Sequence, residues 1–597
     1  MVSDLIIGMA GSGGDGIVSA GDALIATAAE AGYYAMLTKS FGSQIRGGES
    51  SCRLRVATGP VQNPGGVLAI AVALNWEDFG RFGLELPVGP RTLLIHEAKS
   101  GARPLNVRLA IAAPIEELSV SAAGTPRAKN SVVLGLLAGW AGFDAGRLLD
   151  RLRKKLGRKG EEVLAANERA FAAGLDFARG RPVSEEFRLG PPAADARPRV
   201  IRDGNEVCAS AALFAGCQFF GGYPITPATE IMQILQKEIW KHGGALLQAE
   251  DEIAGIGAAI GASFAGKKAM TATSGPGLSL KTEMLGLASA AELPLVCVDV
   301  QRGGPSTGMP TKREQSDLFA AVFSAHGDSV RPVLAPTCVA DTFTVTLDAF
   351  NIAEAYQTPV LVLSDQEIAQ RKEAMDPLST EGLKVVDRRR PTPEELQHYV
   401  RFAATDTGVS PISQPGMPGG AYLAAGIEHD ESGAPSSSGQ VHARMNDKRL
   451  RKLDPLKRRS DLFRVEGPDD ATLGLIAWGS VAGICREALG LAAAEGLKVK
   501  LLVPRLLYPV AEEIFEAFFA SLRTCLVVEQ SQQGQFHRIL RMWTEVPAEF
   551  FSLAESGANP ITPADVLARL RAFSTHDSLP VQRLPQRPQA DLVSRMR

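Results

Sequence analysis

The chain predicts a multidomain α/β fold. Short apolar runs of strand length alternate with stretches of helical period along most of its 597 residues. A glycine cluster at 11–16 separates the first apolar run from the first helical pattern. The length implies about three to five domains, each able to bury a core.

Residues 4–10 read as a short buried strand, and a helical pattern runs from about Ile17 to Ala31. Tyr33–Leu37, Val67–Ala73 and Arg91–His96 read as further strands, and Asn130–Trp140 as a helix. These elements make up a first domain over residues 1–179. The stretch 180–199 is rich in Pro, Arg and Ala and reads as a linker. A second domain follows at 200–376, with strands at Ala269–Ala272, Leu295–Val300 and Pro359–Leu363. Segment 377–460 is loop-rich, and 410–439 carries many Gly, Pro and Ser. Loops this long are lids, binding loops or disordered inserts. The third domain, 461–597, has strands at Thr472–Trp478, Lys498–Val503 and Cys525–Val528.

Composition removes several function classes. Hydrophobic content of 45% and charged content of 22% are ordinary for a globular chain. A net charge of −3 argues against general nucleic-acid binding. No apolar run is long enough for a membrane span, and the N-terminus does not read as a signal peptide. The seven cysteines are scattered, with no C-x-x-C pair. That pattern fits buried thiols in a reducing cytoplasm and excludes a four-cysteine cluster of usual spacing.

Gly11-Ser-Gly-Gly-Asp-Gly16 satisfies G-x-G-x-x-G. A dinucleotide site also needs an acid at the end of the second strand, and Met36-Leu-Thr-Lys39 has none. A helix N-terminus here could still take a phosphate. Gly14-Asp-Gly16 also mimics a Mg²⁺ motif, but that motif needs an Asn some 25–30 residues on. The first downstream Asn is Asn63, so this chain does not assemble the metal ligands.

Tyr223-Pro-Ile-Thr-Pro227 is a stiff turn, because its two prolines fix φ and disfavour helix before them. It holds the Thr226 hydroxyl with little freedom, either as a helix cap or facing a ligand. Glu252 opens a small-residue helix that contains Gly257 and Gly261. Glu250, Asp251 and Glu252 all suit a helix N-terminus, so the choice among them stays open on charge alone. Arg302 follows the strand Leu295–Val300, at the sheet end where α/β folds bind ligands. Its planar fork suits a carboxylate. Thr311 and the cation Lys312 follow nine and ten residues later. The basic run His442–Lys452 reads as a solvated helix face, or as a surface for an acidic partner or phosphate.

Four blocks occur in one order: Gly222–Glu230, Gln248–Gly257, Thr273–Gly277 and Arg302–Thr311. Together they closely resemble the α subunit of the 2-oxoacid:ferredoxin oxidoreductases, with the 2-oxoglutarate branch as the nearest match. A γ-type domain is fused in front, where Gly11–Gly16 and Ser40–Gly48 resemble its two blocks. Ala477–Ser480 and Val527–Gln535 resemble a transketolase C-terminal-like domain.

The resemblance implies a pyrimidine-binding domain for thiamine diphosphate at 200–376. Glu252 and Thr226 become the catalytic residues, with Tyr223, Pro224 and Ile225 beside them on the cofactor. Arg302, Thr311 and Lys312 become substrate-binding residues, and Lys312 a candidate for a second substrate carboxylate. Gly13, Gly14, Arg46 and Gly47 mark the coenzyme A region. Mg²⁺ and a [4Fe–4S] cluster are implied in a β subunit, ferredoxin as the electron partner, and an (αβ)₂ assembly.

Overall fold

A computed structural model describes residues 1–42, 48–101, 107, 109–194, 196–329, 331–557 and 559–575. Three sheets organise the chain, and helices cover their faces.

The first sheet has eight strands. Its centre is Asp4–Gly11, antiparallel to Ser50–Ala57 and parallel to Ile70–Ala73. Leu93–Glu97 and Leu109–Ala113 extend one side in parallel. On the other side Tyr34–Phe41 pairs with Ser50–Ala57, then with Lys372–Met375, which pairs with Val200–Arg202. Those last two strands begin and end the segment 200–376. The first sheet therefore borrows both edges of the segment that follows it.

The antiparallel Ser50–Ala57 lies between Asp4–Gly11 and Tyr34–Phe41. The turn at 11–16 thus lacks the adjacent parallel second strand of a dinucleotide fold.

The second sheet has seven strands around Leu295–Gln301, with Pro359–Asp365 and Ala269–Thr273 on either side, all parallel. Every residue of these three strands is buried. A parallel strand covered on both faces needs such near-continuous apolar runs, which is why they stand out in the sequence. Phe219–Gly222 pairs with Ala269–Thr273 and with Ala245–Gln248. At the far edge Val333–Leu334 pairs with Leu506–Tyr508, a strand given by the third segment. The third sheet has five strands centred on Leu473–Ala477.

The second and third segments share a core. Leu278, Leu361 and Cys297 pack in one cluster with Trp478, Phe515 and Phe536. The loop-rich segment is tied down rather than free. Arg388 bonds both carboxylate oxygens of Glu354, Arg401 donates to Glu292 O at 2.7 Å, and Phe402 and Ile412 are buried.

The basic run forms the helix Gly439–Arg451. It is not a solvated face throughout: Lys448 and Lys452 are buried and both reach the carboxylate of Glu292, at 2.7 and 3.1 Å. Arg449 pairs with Glu428 at 2.8 Å, and Arg451 with Asp447.

Candidate active site

The carboxyl ends of the second sheet's parallel strands bring three of the expected residues together. The first is on the loop after Phe219–Gly222. Tyr223 is exposed, while Pro224, Ile225 and Thr226 are half-buried. Asn205 donates to Pro227 O at 2.8 Å and fixes the far end of the loop. The helix Thr229–Glu238 has no side-chain cap, so the Thr226 hydroxyl is not engaged there.

The second is Glu252. The structure separates it from its two acidic neighbours. Asp251 caps the helix Glu252–Phe264, accepting from Ala254 N at 2.7 Å, and Glu250 is exposed. Glu252 is 8% exposed on the first turn. Its backbone carbonyl accepts a 2.8 Å bond from Lys281, a fully buried lysine whose proton affinity burial lowers. Its side chain lies over the turn Ser274-Gly-Pro-Gly277. A Cβ on Gly277 would stand 2.8 Å from Glu252 Cγ and 3.0 Å from Oε1. Glycine is required there for the carboxyl to settle. Gly255 plays the same part toward Gly222, where a Cβ would meet Gly222 Cα at 2.9 Å.

The third is Arg302, directly after the strand Leu295–Gln301 and 5% exposed. Its Nη1 donates to Thr226 O at 2.5 Å, so the arginine and the threonine loop form one wall. Its Nε is buried and meets no acceptor among the described residues. Burial lowers its pKa, and Asp317 and Asp299 nearby work in the opposite direction.

Thr311 and Lys312 go elsewhere. The loop after Arg302 folds back, with Met309 N on Gly303 O and Gly303 N on Lys312 O. From there Lys312 Nζ reaches Ser40 at 2.6 Å and pairs with Glu85, both in the first segment. Thr311 and Lys312 line a cavity of ≈ 300 Å³ at the junction of the three segments, with Ser40, Phe41 and Arg53 among its other walls. Glu252, Thr226 and Arg302 do not line it.

Gly13 and Gly14 sit on an exposed turn, and Gly14 has φ 100°. Arg46 and Gly47 lie outside the described residues. Among the described residues no cluster of His, Cys, Asp or Glu could hold a metal ion, and no helix is long and apolar enough to cross a membrane.

Sequence reasoning missed two acids behind Arg302. Asp299 is fully buried on the same strand, and Asp317 precedes the helix Leu318–Phe323. The one available signal was an acid inside an otherwise apolar strand.

The geometry suits a cofactor whose ring needs a buried carboxyl. Glu252 is held on a rigid first turn, over a cradle that a Cβ at Gly277 would fill. Residues 210–448 match the thiamine-diphosphate-binding family of pyruvate flavodoxin/ferredoxin oxidoreductases, and residues 6–177 match the pyruvate ferredoxin/flavodoxin oxidoreductase family. The 2-oxoglutarate synthase subunit KorA of Methanothermobacter thermautotrophicus is 37% identical over 375 residues, covering 61% of this chain and 96% of its own. The 2-oxoglutarate oxidoreductase subunit KorA of Mycobacterium tuberculosis is 33% identical, covering 90% of this chain and 87% of its own. A solved structure of 2-oxoglutarate:ferredoxin oxidoreductase from Magnetococcus marinus, with 2-oxoglutarate, coenzyme A and succinyl-CoA bound, superposes with a TM-score of 0.90. It is 38% identical and covers 96% of this chain and 99% of its own.

Proposed function

The chain belongs to the 2-oxoacid:ferredoxin oxidoreductase family as a fused γ–α subunit, and from that premise we propose that it converts 2-oxoglutarate, coenzyme A and oxidised ferredoxin to succinyl-CoA, CO₂ and reduced ferredoxin. The observation that carries this reading is the wall formed by Arg302 and the Thr226 loop, with Glu252 on the neighbouring helix. The choice of 2-oxoglutarate rests on the relatives' names and on the ligands of the M. marinus structure.

Thiamine diphosphate, when bound, supplies an acidic thiazolium carbon that becomes the nucleophile toward the 2-oxo carbon. Glu252 would hold the aminopyrimidine ring by a hydrogen bond from its buried carboxyl. Burial at the first turn keeps water from competing for that bond. Thr226 presents its hydroxyl, and Tyr223, Pro224 and Ile225 shape the rest of the loop against the cofactor. Arg302 takes the carboxylate shared by all 2-oxoacids, its planar fork suiting that group. Lys312 and Thr311 stand at the junction cavity, where a longer substrate or coenzyme A would approach. Gly13, Gly14, Arg46 and Gly47 are our candidates for the coenzyme A region.

A partner β subunit completes the site. It would bring the diphosphate and Mg²⁺ ligands and a [4Fe–4S] cluster to serve ferredoxin, in an (αβ)₂ assembly. One observation supports a covering partner. Tyr223, Leu247, Ile253 and Leu280, on elements flanking Glu252, are exposed apolar residues. The test is reconstitution. The complex co-purified with its partner should reduce ferredoxin or a viologen only with 2-oxoglutarate and coenzyme A present. The isolated chain should do neither. Full turnover by the isolated chain overturns the reading.

A further inference from the structure

The third sheet reverses its strand order at its centre. From Leu473–Ala477 the chain runs to Val499–Pro504 on one side and then to Thr524–Glu529 on the other, and the three strands are parallel. An open α/β sheet takes ligands in the crevice that such a reversal leaves beyond the carboxyl ends of its strands. In this chain a side chain from the second segment fills that crevice. Gln315, 1% exposed, donates from Nε2 to Trp478 O at 2.8 Å and accepts from Gln530 N at 2.8 Å. Its backbone N donates to Gln530 O at 2.7 Å. Trp478 and Gln530 directly follow the two strands that flank the reversal. Gly479 gives the amide its room: its φ is 61°, and a Cβ there would run into Gln315 Nε2.

The neighbours of Gln315 are clipped to the same segment. Glu314 Oε1 accepts from Gly557 N at 2.9 Å. Ser316 O accepts from Gln535 Nε2 at 2.7 Å, and Phe319 N donates to Gln535 Oε1 at 2.8 Å. Gln530 in turn holds the loop that carries Gly557, donating from Nε2 to Glu555 O and Ser556 O at 3.0 and 2.9 Å.

The strap 314–317 also grips the chain on both sides of Arg302. Asp317 N donates to Gln301 Oε1 at 3.1 Å, on the residue before the arginine. Gly304 N, just beyond the arginine, donates to Glu314 Oε2 at 3.0 Å. Glu314 is 6% exposed, so one buried carboxylate joins the Arg302 loop to the third segment. Bonds from backbone N–H to an ionised carboxylate are among the stronger ones.

We propose that Gln315 and Glu314 are positioning residues for Arg302: Gln315 seats the strap in the crevice of the third sheet, and Glu314 carries that seat to the backbone beside the arginine. This rests on the reading of Arg302 as the carboxylate-binding residue. The third segment then sets where the guanidinium stands. Its crevice serves as a socket for the substrate loop instead of a ligand site.

The test is a double-mutant cycle on the complex with its partner subunit. Gln315→Ala empties the crevice and should lower kcat/KM for 2-oxoglutarate about ten-fold, as a misplaced binding group does. In an Arg302→Ala background the same change should cost nothing further, because the group it positions is gone. A merely structural role would multiply the two losses. Glu314→Gln is nearly isosteric and keeps one acceptor. It should show the same non-additivity, and it serves in the cycle if Gln315→Ala does not assemble. The proposal falls if the variant that assembles keeps the wild-type kcat/KM, or if its loss multiplies in full with that of Arg302→Ala. Amide exchange over 303–312 separates the two readings. A wild-type kcat/KM in Arg302→Ala removes Arg302 as the carboxylate site. Faster exchange of those amides in Gln315→Ala or Glu314→Gln still upholds the strap, and unchanged exchange removes it whatever Arg302 binds.

Discussion

At the scale of single residues, burial decides what charge leaves open. Glu250, Asp251 and Glu252 are interchangeable as first-turn acids on sequence grounds. In the structure one is exposed, one caps the helix and one is buried over Gly277. Glu252→Gln should therefore lower turnover of the complex by ~10²–10⁴ while the fold survives, since the change is nearly isosteric. Steady-state rates with a melting curve check both halves, and a near wild-type rate would return Glu250 to consideration. Arg302→Ala should depress activity on 2-oxoglutarate and pyruvate alike, because both present the carboxylate it is placed to bind. Lys312 calls for a different expectation. Its ammonium already has Glu85 and Ser40 as partners. Lys312→Met should thus lower kcat/KM for both substrates by a similar factor. A steep loss confined to 2-oxoglutarate would instead make Lys312 the reader of its distal carboxylate. The position of Arg302 at a strand end was legible because the apolar run before it marks the strand. The position of Asp317 was not, because its place against Gly275 depends on a loop folding back across the end of the strand.

At the scale of elements, the loop-rich segment shows what composition conceals. Its Gly, Pro and Ser content suggests mobility, but its arginines and the following helix anchor it. Glu292 is the hub. It ends the helix Gly275–Ala290 in the left-handed region, φ 52°, with Leu293 N returning to Ala288 O at 2.9 Å. A non-glycine residue there is strained by about 1–2 kcal/mol. The position gives its carboxylate three cations. Burial raises that carboxyl's pKa, but Lys452, Lys448 and Arg401 outweigh it and hold the group well below the ordinary range. Three cations share one anion, so burial still pulls Lys452 down to about 8. A depressed carboxyl stabilises the fold above its unfolded pKa, about 4.3, and loses that contribution as pH falls through the folded value. Glu292→Gln would leave buried lysines unpaired and should cost ~3–5 kcal/mol. The measurable result is a lower melting temperature and faster proteolysis within 377–438. Unchanged protection would mean that Arg388 and the apolar contacts anchor the segment by themselves. The basic run was visible in the sequence, but its anion lies over 150 residues away, at a separation periodicity does not reach.

At the scale of the whole molecule, three sheets do not make three independent bodies. The alternation of strands and helices made the α/β layers legible, and the main strands lie within a few residues of their expected places. The exchanges between sheets were not legible, since Val200–Arg202, Lys372–Met375 and Leu506–Tyr508 are too short to carry a period. They have consequences for any cut in the chain. A chain beginning at Val200 keeps Lys372–Met375 but loses Tyr34–Phe41, its partner strand. It would expose an unpaired two-stranded ribbon and Ala374, which packs in the first core. It would also strand Lys372, paired with Asp22 at 2.9 Å, and Lys312, paired with Glu85. A two-stranded ribbon is at best marginal in water, and a bare edge invites association. We expect residues 200–597 alone to aggregate or melt at lower temperature than the whole. Co-expressed residues 1–199 should restore a monodisperse complex and its melting temperature. Sizing chromatography and thermal unfolding decide: a stable, monomeric 200–597 with the melting behaviour of the intact chain would show that the shared strands are incidental to the fold.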